Sequence, residues 1–335
     1  MKLCTKMDIC NIGVIGTGWI ANLEHGPALQ NYVRGNPRFH LKAACDIKPN
    51  QAESFAERFG FERHYQDVAT MLDTEDLQAV YVMVPDRFTA SIAELPLRRG
   101  MATLIEKPPA TTPEELSRLI QIADETGAPN FVAFNRRCMP LINRMQSRIA
   151  EIVLQEHVVP ELISCRFARY GRFDQDFSTT AIHAIDTISY ICRSPYKSLQ
   201  IDYWKQGAAY RHDNILMRGQ MVSDTVCNIE ITPDTGINYE RINVHFPGRI
   251  LKLELPGVSK KEGNGSLLEF REGEVVANIS DGIPEIEGNG FYCETDLFLS
   301  GLLNGETHFA DHDLKSCMQS VEIMNCLHHK GRCYP

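Results

Sequence analysis

Cys10-Asn11-Ile12-Gly13-Val14-Ile15-Gly16-Thr17-Gly18-Trp19-Ile20-Ala21 decides how the N-terminal part of the chain is read. An apolar run ends on a glycine, and G-x-G-x-x-A then leads into a helix-compatible stretch. In such a strand–turn–helix setting the first glycine permits the tight turn. The second lets a pyrophosphate approach the backbone, and the small third residue lets the helix pack on the sheet. A bare glycine motif is a weak signal; the flanking strand and helix supply its context.

Outward from this turn the pattern alternates. Phe39 to Cys45 reads as a second strand ending at Asp46. An acid there is placed to bind ribose hydroxyls and to repel a 2′-phosphate, which favours NAD. NADP stays open as the alternative, because Lys48 follows two residues on. Asp46 also reads as a cap for the helix that Pro49 begins. Gln51 to Phe59 reads as a helix, Ala79 to Val84 as a buried parallel strand, Thr89 to Arg99 as a helix and Ala102 to Glu106 as a strand. Thr112-Pro113-Glu114-Glu115 is a capping box that opens a helix to Thr126. Asn130 to Phe134 reads as the last strand of the alternation. The class is α/β, with a doubly wound parallel sheet over residues 1–134.

Within this pattern one strand ends abruptly as Leu104-Ile105-Glu106-Lys107-Pro108-Pro109. Proline has no N–H for a ladder and holds the preceding residue extended. Lys107 is thereby expected at the carboxyl edge of the sheet, where α/β proteins bind ligands. A solvated strand-end charge is the plainer alternative.

Residues 135–335 read as a second, α+β domain. Leu141 to Leu154 is helical, Leu162 to Tyr170 a strand, Gly171 to Ser178 a polar loop and Thr179 to Cys192 a helix. From Leu199 to Ile279 the chain is mostly strand-like, with turns at Thr232–Gly236 and Gly263–Gly265, which predicts a largely antiparallel sheet. A loop from Asp281 to Gly290 precedes two closing helices, Tyr292 to Leu303 and Asp313 to His329. In the helix after Ser178, His183, Asp186 and Tyr190 share one face at i, i+3, i+7 spacing, while Ile185, Ile188 and Cys192 form the core stripe. A histidine–aspartate surface pair fits this face, and so does a proton-accepting histidine.

The chain has 335 residues, too many for one typical core and about right for two domains. Hydrophobic residues make up 43% and charged residues 23%, as in an ordinary soluble domain. A net charge of −9 argues against nucleic acid and anionic membrane as partners. No apolar run is long enough to span a membrane, and Met1 to Asp8 lack the apolar stretch of a signal peptide. The eleven cysteines are scattered without a C-x-x-C pair, and Cys10, Cys45, Cys165 and Cys227 lie inside apolar segments. A reducing cytoplasm and no structural disulfides are expected. Cys326, His328, His329 and Cys333 fit no standard zinc spacing, so no metal is expected.

Gly16-x-Gly18-x-x-Ala21, Pro85-Asp86, Glu106-Lys107-Pro108, Asn135-Arg136-Arg137 and Ile182-His183-Ala184-Ile185-Asp186 occur in that order. Together they resemble the Gfo/Idh/MocA oxidoreductases, and Asp176-Phe177 through Thr187 is similar to the MviM-like branch. The resemblance covers essentially the whole chain, more loosely in its second half. It implies a Rossmann domain, a C-terminal domain with an open antiparallel sheet, and a homo-oligomer (dimer or tetramer). It also implies hydride transfer between NAD(P) and a sugar, inositol or sugar-derived carbonyl. Gly16, Gly18, Trp19, Ile20, Asp46, Pro85, Glu106 and Lys107 become the candidate cofactor-binding residues. Lys107 and His183 become the catalytic candidates, with the lysine polarising the reacting oxygen and the histidine as its base. Asn135, Arg136, Asp176, Thr179 and Asp186 are the candidate substrate-binding residues. Arg136 suits a substrate carboxylate or phosphate, or a structural ion pair. Two positions depart from the family pattern. Thr179 stands where many members carry an aspartate four residues before the histidine, and Thr89 where a histidine is typical. Asp176 and Asp186 are the candidates to replace the missing acid. A dinucleotide-binding sensor of the same fold is the alternative to an enzyme.

Overall fold

The computed structural model describes residues 9–171, 176–205, 212–256, 265–280, 282 and 287–335. The chain divides into two compact units, Met1–Phe134 with Phe291–Val321, and Asn135–Gly290 with Glu322–Pro335.

In the first unit β1 (Cys10–Ile15) is followed by a turn of π-helix, Ala21–His25, that runs on into α1 (Gly26–Gly35). Then come β2 (Phe39–Cys45), α2 (Pro49–Phe59), β3 (Arg63–Tyr65), α3 (Val68–Thr74), β4 (Ala79–Val82) and α4 (Asp86–Arg98). The alternation ends with β5 (Ala102–Glu106), α5 (Pro113–Thr126) and β6 (Asn130–Ala133). All pairings are parallel, in the order β3-β2-β1-β4-β5-β6. This is the doubly wound order with its switch point between β1 and β4. The central strands are buried on both faces, which is why β4 reads Ala-Val-Tyr-Val without alternation. Thr112 caps α5 by accepting from Glu115 N at 3.2 Å, and Glu115 Oε2 accepts from Thr111 N at 2.9 Å. The reciprocal bond of the capping box thus falls one residue upstream of the cap itself.

β3 and α3 have no counterpart in the sequence reading. β3 is only three residues, Arg-His-Tyr, none of them buried, and it pairs at the sheet edge with Ala43–Cys45. An edge strand this short leaves no hydrophobic period to detect.

The second unit opens on a 3₁₀ turn, Asn135–Cys138, and α6 (Pro140–Glu156). β7 (Leu162–Ala168) and α7 (Ser178–Cys192) follow, then β8 (Tyr196–Trp204), β9 (Asn214–Met221) and β10 (Val226–Thr232). β11 (Tyr239–Phe246), β12 (Arg249–Glu254), β13 (Ser266–Arg271) and β14 (Glu274–Asn278) continue the sheet. With β15 (Cys333–Tyr334) at its edge, the order is β14-β13-β12-β11-β7-β10-β9-β8-β15. Among the described residues only β7 and β10 run parallel; the other pairings are antiparallel. One face carries the core, where Ile142, Met145 and Ile149 of α6 and Ile185 and Ile188 of α7 join Ile229, Ile242 and Leu251. Some sequence expectations fall partly or wholly outside the described residues: Met1 to Asp8, 172–175 of the polar loop, 206–211 and 257–264 of the strand-like stretch with one of its turns, and 281 with 283–286 of a loop.

Residues 135–335 do not stay together. α8 (Phe291–Leu303) belongs to the first unit, and α9 (Met318–His328) begins there and ends in the second. Phe298 of α8 is fully buried, with ring centroids 5.8 Å from Tyr81 and 5.6 Å from Phe131. An apolar helical stripe looks the same in sequence whichever core it fills, so position in the chain was a poor guide here. Among the described residues no helix is long and apolar enough to cross a membrane.

Candidate active site

The candidate residues of the first unit come from the carboxyl ends of neighbouring parallel strands. Gly16 follows β1, Asp46 follows β2, Pro85 lies just past β4, and Lys107 follows β5, so all four lie on one edge of the sheet. Gly16 has φ +90°, and a Cβ there would lie 2.3 Å from the Met83 carbonyl oxygen. Only glycine fits both constraints. Its N–H donates to Cys45 O at 2.8 Å. Asp46 Oδ2 accepts from Thr17 N at 2.9 Å and from Thr17 Oγ1 at 3.1 Å, while Oδ1 accepts from Lys48 N at 3.0 Å. Asn22 Nδ2 donates to Thr17 O at 2.7 Å and to Gly18 O at 3.0 Å. The loop is thus tied from both sides.

These residues fit a dinucleotide. A Cβ built on Gly18 would meet nothing within 4 Å, so its backbone faces open space suited to a pyrophosphate. Asp46 is half-buried, and a carboxylate has about four acceptor sites, enough for its present donors and a ribose hydroxyl. The ribose reading is compatible with these bonds, whereas the cap reading is not what forms: Lys48 is the N-cap of α2 and no side chain caps it, so Asp46 binds only the turn before the helix. Trp19 and Pro85 are exposed and Ile20 is half-buried beside the loop.

Glu106 sits differently from its neighbour. Lys107 is half-exposed and joined to Pro108 by a cis peptide bond. Glu106 is buried and its Oε1 lies 2.9 Å from His25 Nε2. The other ring nitrogen, Nδ1, is 3.9 Å from Oε1 of Glu294, which is fully buried. Burial, and then the negative charge of Glu106, push the Glu294 carboxyl well above the usual carboxylate range. His25 and Glu294 escaped the sequence reading, although a signal exists. His25 stands in the stripe Ala21, His25, Ala28, Leu29, and Glu294 in the stripe Phe291, Glu294, Phe298, so each is a polar residue in an apolar seam.

In the second unit α7 is buried almost throughout, so the expected polar face is an internal one. His183 and Asp186 are both buried but point to different arginines. Arg137 Nε donates to Asp186 Oδ2 at 2.8 Å, and its Nη2 donates to Oδ1. Asp186 is therefore one side of a buried bidentate ion pair, and the surface pair with His183 is not what forms. Arg136 Nη1 lies 2.8 Å from His183 Nδ1 and 3.1 Å from Asn135 Oδ1. Its Nε donates to Glu240 Oε2 at 2.8 Å, and its Nη2 to Glu240 Oε1, which also accepts from Arg169. Burial alone would raise the Glu240 carboxyl, but the two guanidinium groups hold it down at about 2.

The substrate-binding candidates are thus largely engaged within the protein. Of the two alternatives for Arg136, the structural ion pair is the one formed. Asn135 Nδ2 donates to Asn289 O at 2.9 Å. Asp176 lies two residues before α7, accepting from Ser178 N at 2.9 Å and Ser178 Oγ at 2.6 Å, and meets His328 Nδ1 at 2.7 Å. Thr179 Oγ1 donates to Asp176 O at 3.2 Å. Glu240 and Arg169 were missed, and Glu240 was findable. It alternates with the inward residues Ile242 and Val244 of β11, where a charge needs a partner. Among the described residues no group of three or more His, Cys, Asp or Glu is placed to hold a metal ion.

An all-parallel sheet of this order, with a glycine turn after β1 and an acid after β2, defines a dinucleotide-binding Rossmann unit. Residues 10–134 match the Gfo/Idh/MocA oxidoreductase family, NAD-binding Rossmann fold. The match covers the Rossmann part of the first unit. The chain is 25% identical to D-glucoside 3-dehydrogenase of Escherichia coli over 205 residues, 58% of this chain and 57% of that protein. It is 27% identical to levoglucosan dehydrogenase of Pseudarthrobacter phenanthrenivorans over 175 residues, 51% of this chain and 43% of that protein. The chain thus spans about half the length of these relatives. The fold extends further. The MviM dehydrogenase of Clostridium difficile superposes with a TM-score of 0.79 over 96% of this chain and 99% of its own, at 16% identity.

Proposed function

We propose that the chain is an NAD-dependent oxidoreductase that moves a hydride between nicotinamide and a sugar, inositol or sugar-derived alcohol or carbonyl. The observation that carries this reading is one sheet edge bearing a glycine turn with open space over Gly18, an acid after β2 and a lysine after β5. The activities named for the glucoside and levoglucosan dehydrogenases support the substrate class. Gly16, Gly18 and Asp46 would hold the dinucleotide, and Asp46 favours NAD over NADP by repelling a 2′-phosphate. When bound, nicotinamide supplies the hydride acceptor or donor. The chain's own part is the reacting oxygen. Lys107 offers it a cation as negative charge develops, and His183 offers it an imidazole.

The test is a screen of polyols, sugars and sugar acids with NAD and NADP, followed by NADH binding and turnover of Lys107→Ala. Turnover should fall about 100-fold or more with NADH affinity kept. A wild-type protein that binds NADH tightly and turns over no member of the panel refutes the enzyme reading and leaves the sensor. Unchanged turnover in Lys107→Ala refutes the role given to Lys107.

A further inference from the structure

The contact between Arg136 and His183 has a direction that the two side chains force. A guanidinium has N–H donors only and no acceptor. At 2.8 Å from Arg136 Nη1, His183 Nδ1 must therefore be the acceptor, with its lone pair toward the arginine. The proton of the imidazole is then on Nε2. Arg136 is well fixed for this task. Its Nε and Nη2 are held by Glu240, and Nη1 also donates to Asn135 Oδ1 at 3.1 Å. Asn135 is anchored in turn through Nδ2 on Asn289 O at 2.9 Å. Arg169 shares Glu240, so the group beside the imidazole holds two guanidinium charges and one carboxylate.

We infer that Arg136 is a positioning residue that fixes His183 as an Nε2–H hydrogen-bond donor, so that as hydride adds to a carbonyl His183 stabilises the negative charge on its oxygen, while the Lys107 ammonium gives the proton that completes the hydroxyl and takes it back in the reverse direction. A neutral histidine acting as an electrophile toward a carbonyl oxygen is established chemistry. Proton acceptance by Nε2 would make an imidazolium beside the Arg136 guanidinium, 2.8 Å from Nδ1. The substrate half of this inference rests on the function proposed above, which places His183 at the substrate oxygen. The tautomer half does not.

Nuclear magnetic resonance of the full chain, ¹⁵N-labelled at histidine and arginine, reads the tautomer directly. The wild type should show a directly bonded proton at His183 Nε2 only. It should also show a ¹⁵N–¹⁵N coupling across the hydrogen bond from Arg136 Nη1 to His183 Nδ1. Arg136→Met should lose that coupling and populate both tautomers, and Arg136→Lys serves if the methionine variant does not fold. A proton on Nδ1 in the wild type overturns the inference, whatever the activity. The second readout is turnover on the panel of sugars and polyols. His183→Gln keeps an N–H donor near the Nε2 position and should stay within about tenfold of wild type, while His183→Ala should lose about 100-fold. Equal losses in the two variants mean that a base has been removed, and overturn the donor role. A wild type inactive on the whole panel removes the proposed function while the spectra still decide the tautomer.

Discussion

The two glycines of the first turn should fail in different ways when each becomes alanine. At Gly16 the alanine must adopt φ +90° and place its Cβ 2.3 Å from Met83 O and 3.0 Å from Val84 Cγ1. A left-handed L-residue costs roughly 1–2 kcal/mol, and overpacking a tight site adds roughly 1–3 kcal/mol. The loss of about 2–5 kcal/mol should lower Tm by several degrees, at roughly 2–4 °C per kcal/mol for a unit of this size. At Gly18 the added Cβ meets no protein atom within 4 Å, and the φ is not left-handed. Gly18→Ala should leave Tm unchanged, or raise it slightly as the unfolded chain loses freedom. The methyl group would instead stand where a pyrophosphate has to come close, so NADH affinity should fall at least about tenfold, or about 1.4 kcal/mol. The assay is a thermal melt without ligand and a fluorescence titration with NADH for each variant. The reasoning is refuted if Gly18→Ala binds NADH like the wild type, or if Gly16→Ala melts like it.

Two further outcomes follow from the same unit. Glu294 has a folded-state pKa above its unfolded value, so the folded state binds more protons and stability falls as pH rises above about 4.5. The slope is at most about 1.4 kcal/mol per pH unit, up to the folded value. Glu294→Gln removes this dependence, so urea unfolding should find the variant more stable relative to wild type at pH 8 than at pH 5; a pH-independent difference would show that Glu294 does not titrate abnormally. Asp46→Ala should narrow the preference for NADH over NADPH in paired titrations. Because Asp46 also binds Thr17 N and Oγ1, affinity for both nucleotides should drop; a drop for NADH alone would mean that the loop does not depend on this carboxylate.

Periodicity made the parallel sheet legible because its central strands are buried on both faces and end in glycine, acid or proline. β3 was not legible, since three exposed or half-exposed residues carry no period. The return of α8 to the first unit was not legible either, because its apolar stripe carries no address. The site divides in the same way. Gly16, Asp46 and Lys107 are placed by chain connectivity alone, one residue beyond a strand, and a motif suffices to find them. The partners of Arg136, Arg137 and His183 depend on pairing between elements far apart in sequence. Glu240 is 104 residues from Arg136, and Asp186 is 49 from Arg137. Helical spacing put His183 and Asp186 on one face, but it could not say that each would be turned to its own arginine.

Thr179 therefore means more than a missing acid. A carboxylate at Nδ1 of a histidine accepts that nitrogen's proton and leaves Nε2 with a lone pair, which makes Nε2 a base. A guanidinium at Nδ1 donates to it and leaves the proton on Nε2, which makes Nε2 a donor. Asp176, the nearest acid upstream, is bound to Ser178 and His328, and Asp186 to Arg137, while Arg136 stands at Nδ1. The carboxylate nearest in this network, Glu240, binds the arginine on the side away from the imidazole and so strengthens the arginine's hold. Exchanging a carboxylate for a guanidinium at one ring nitrogen inverts what the other ring nitrogen presents. Under the proposed function, the imidazole then presents a donor where an acid-paired histidine presents a base.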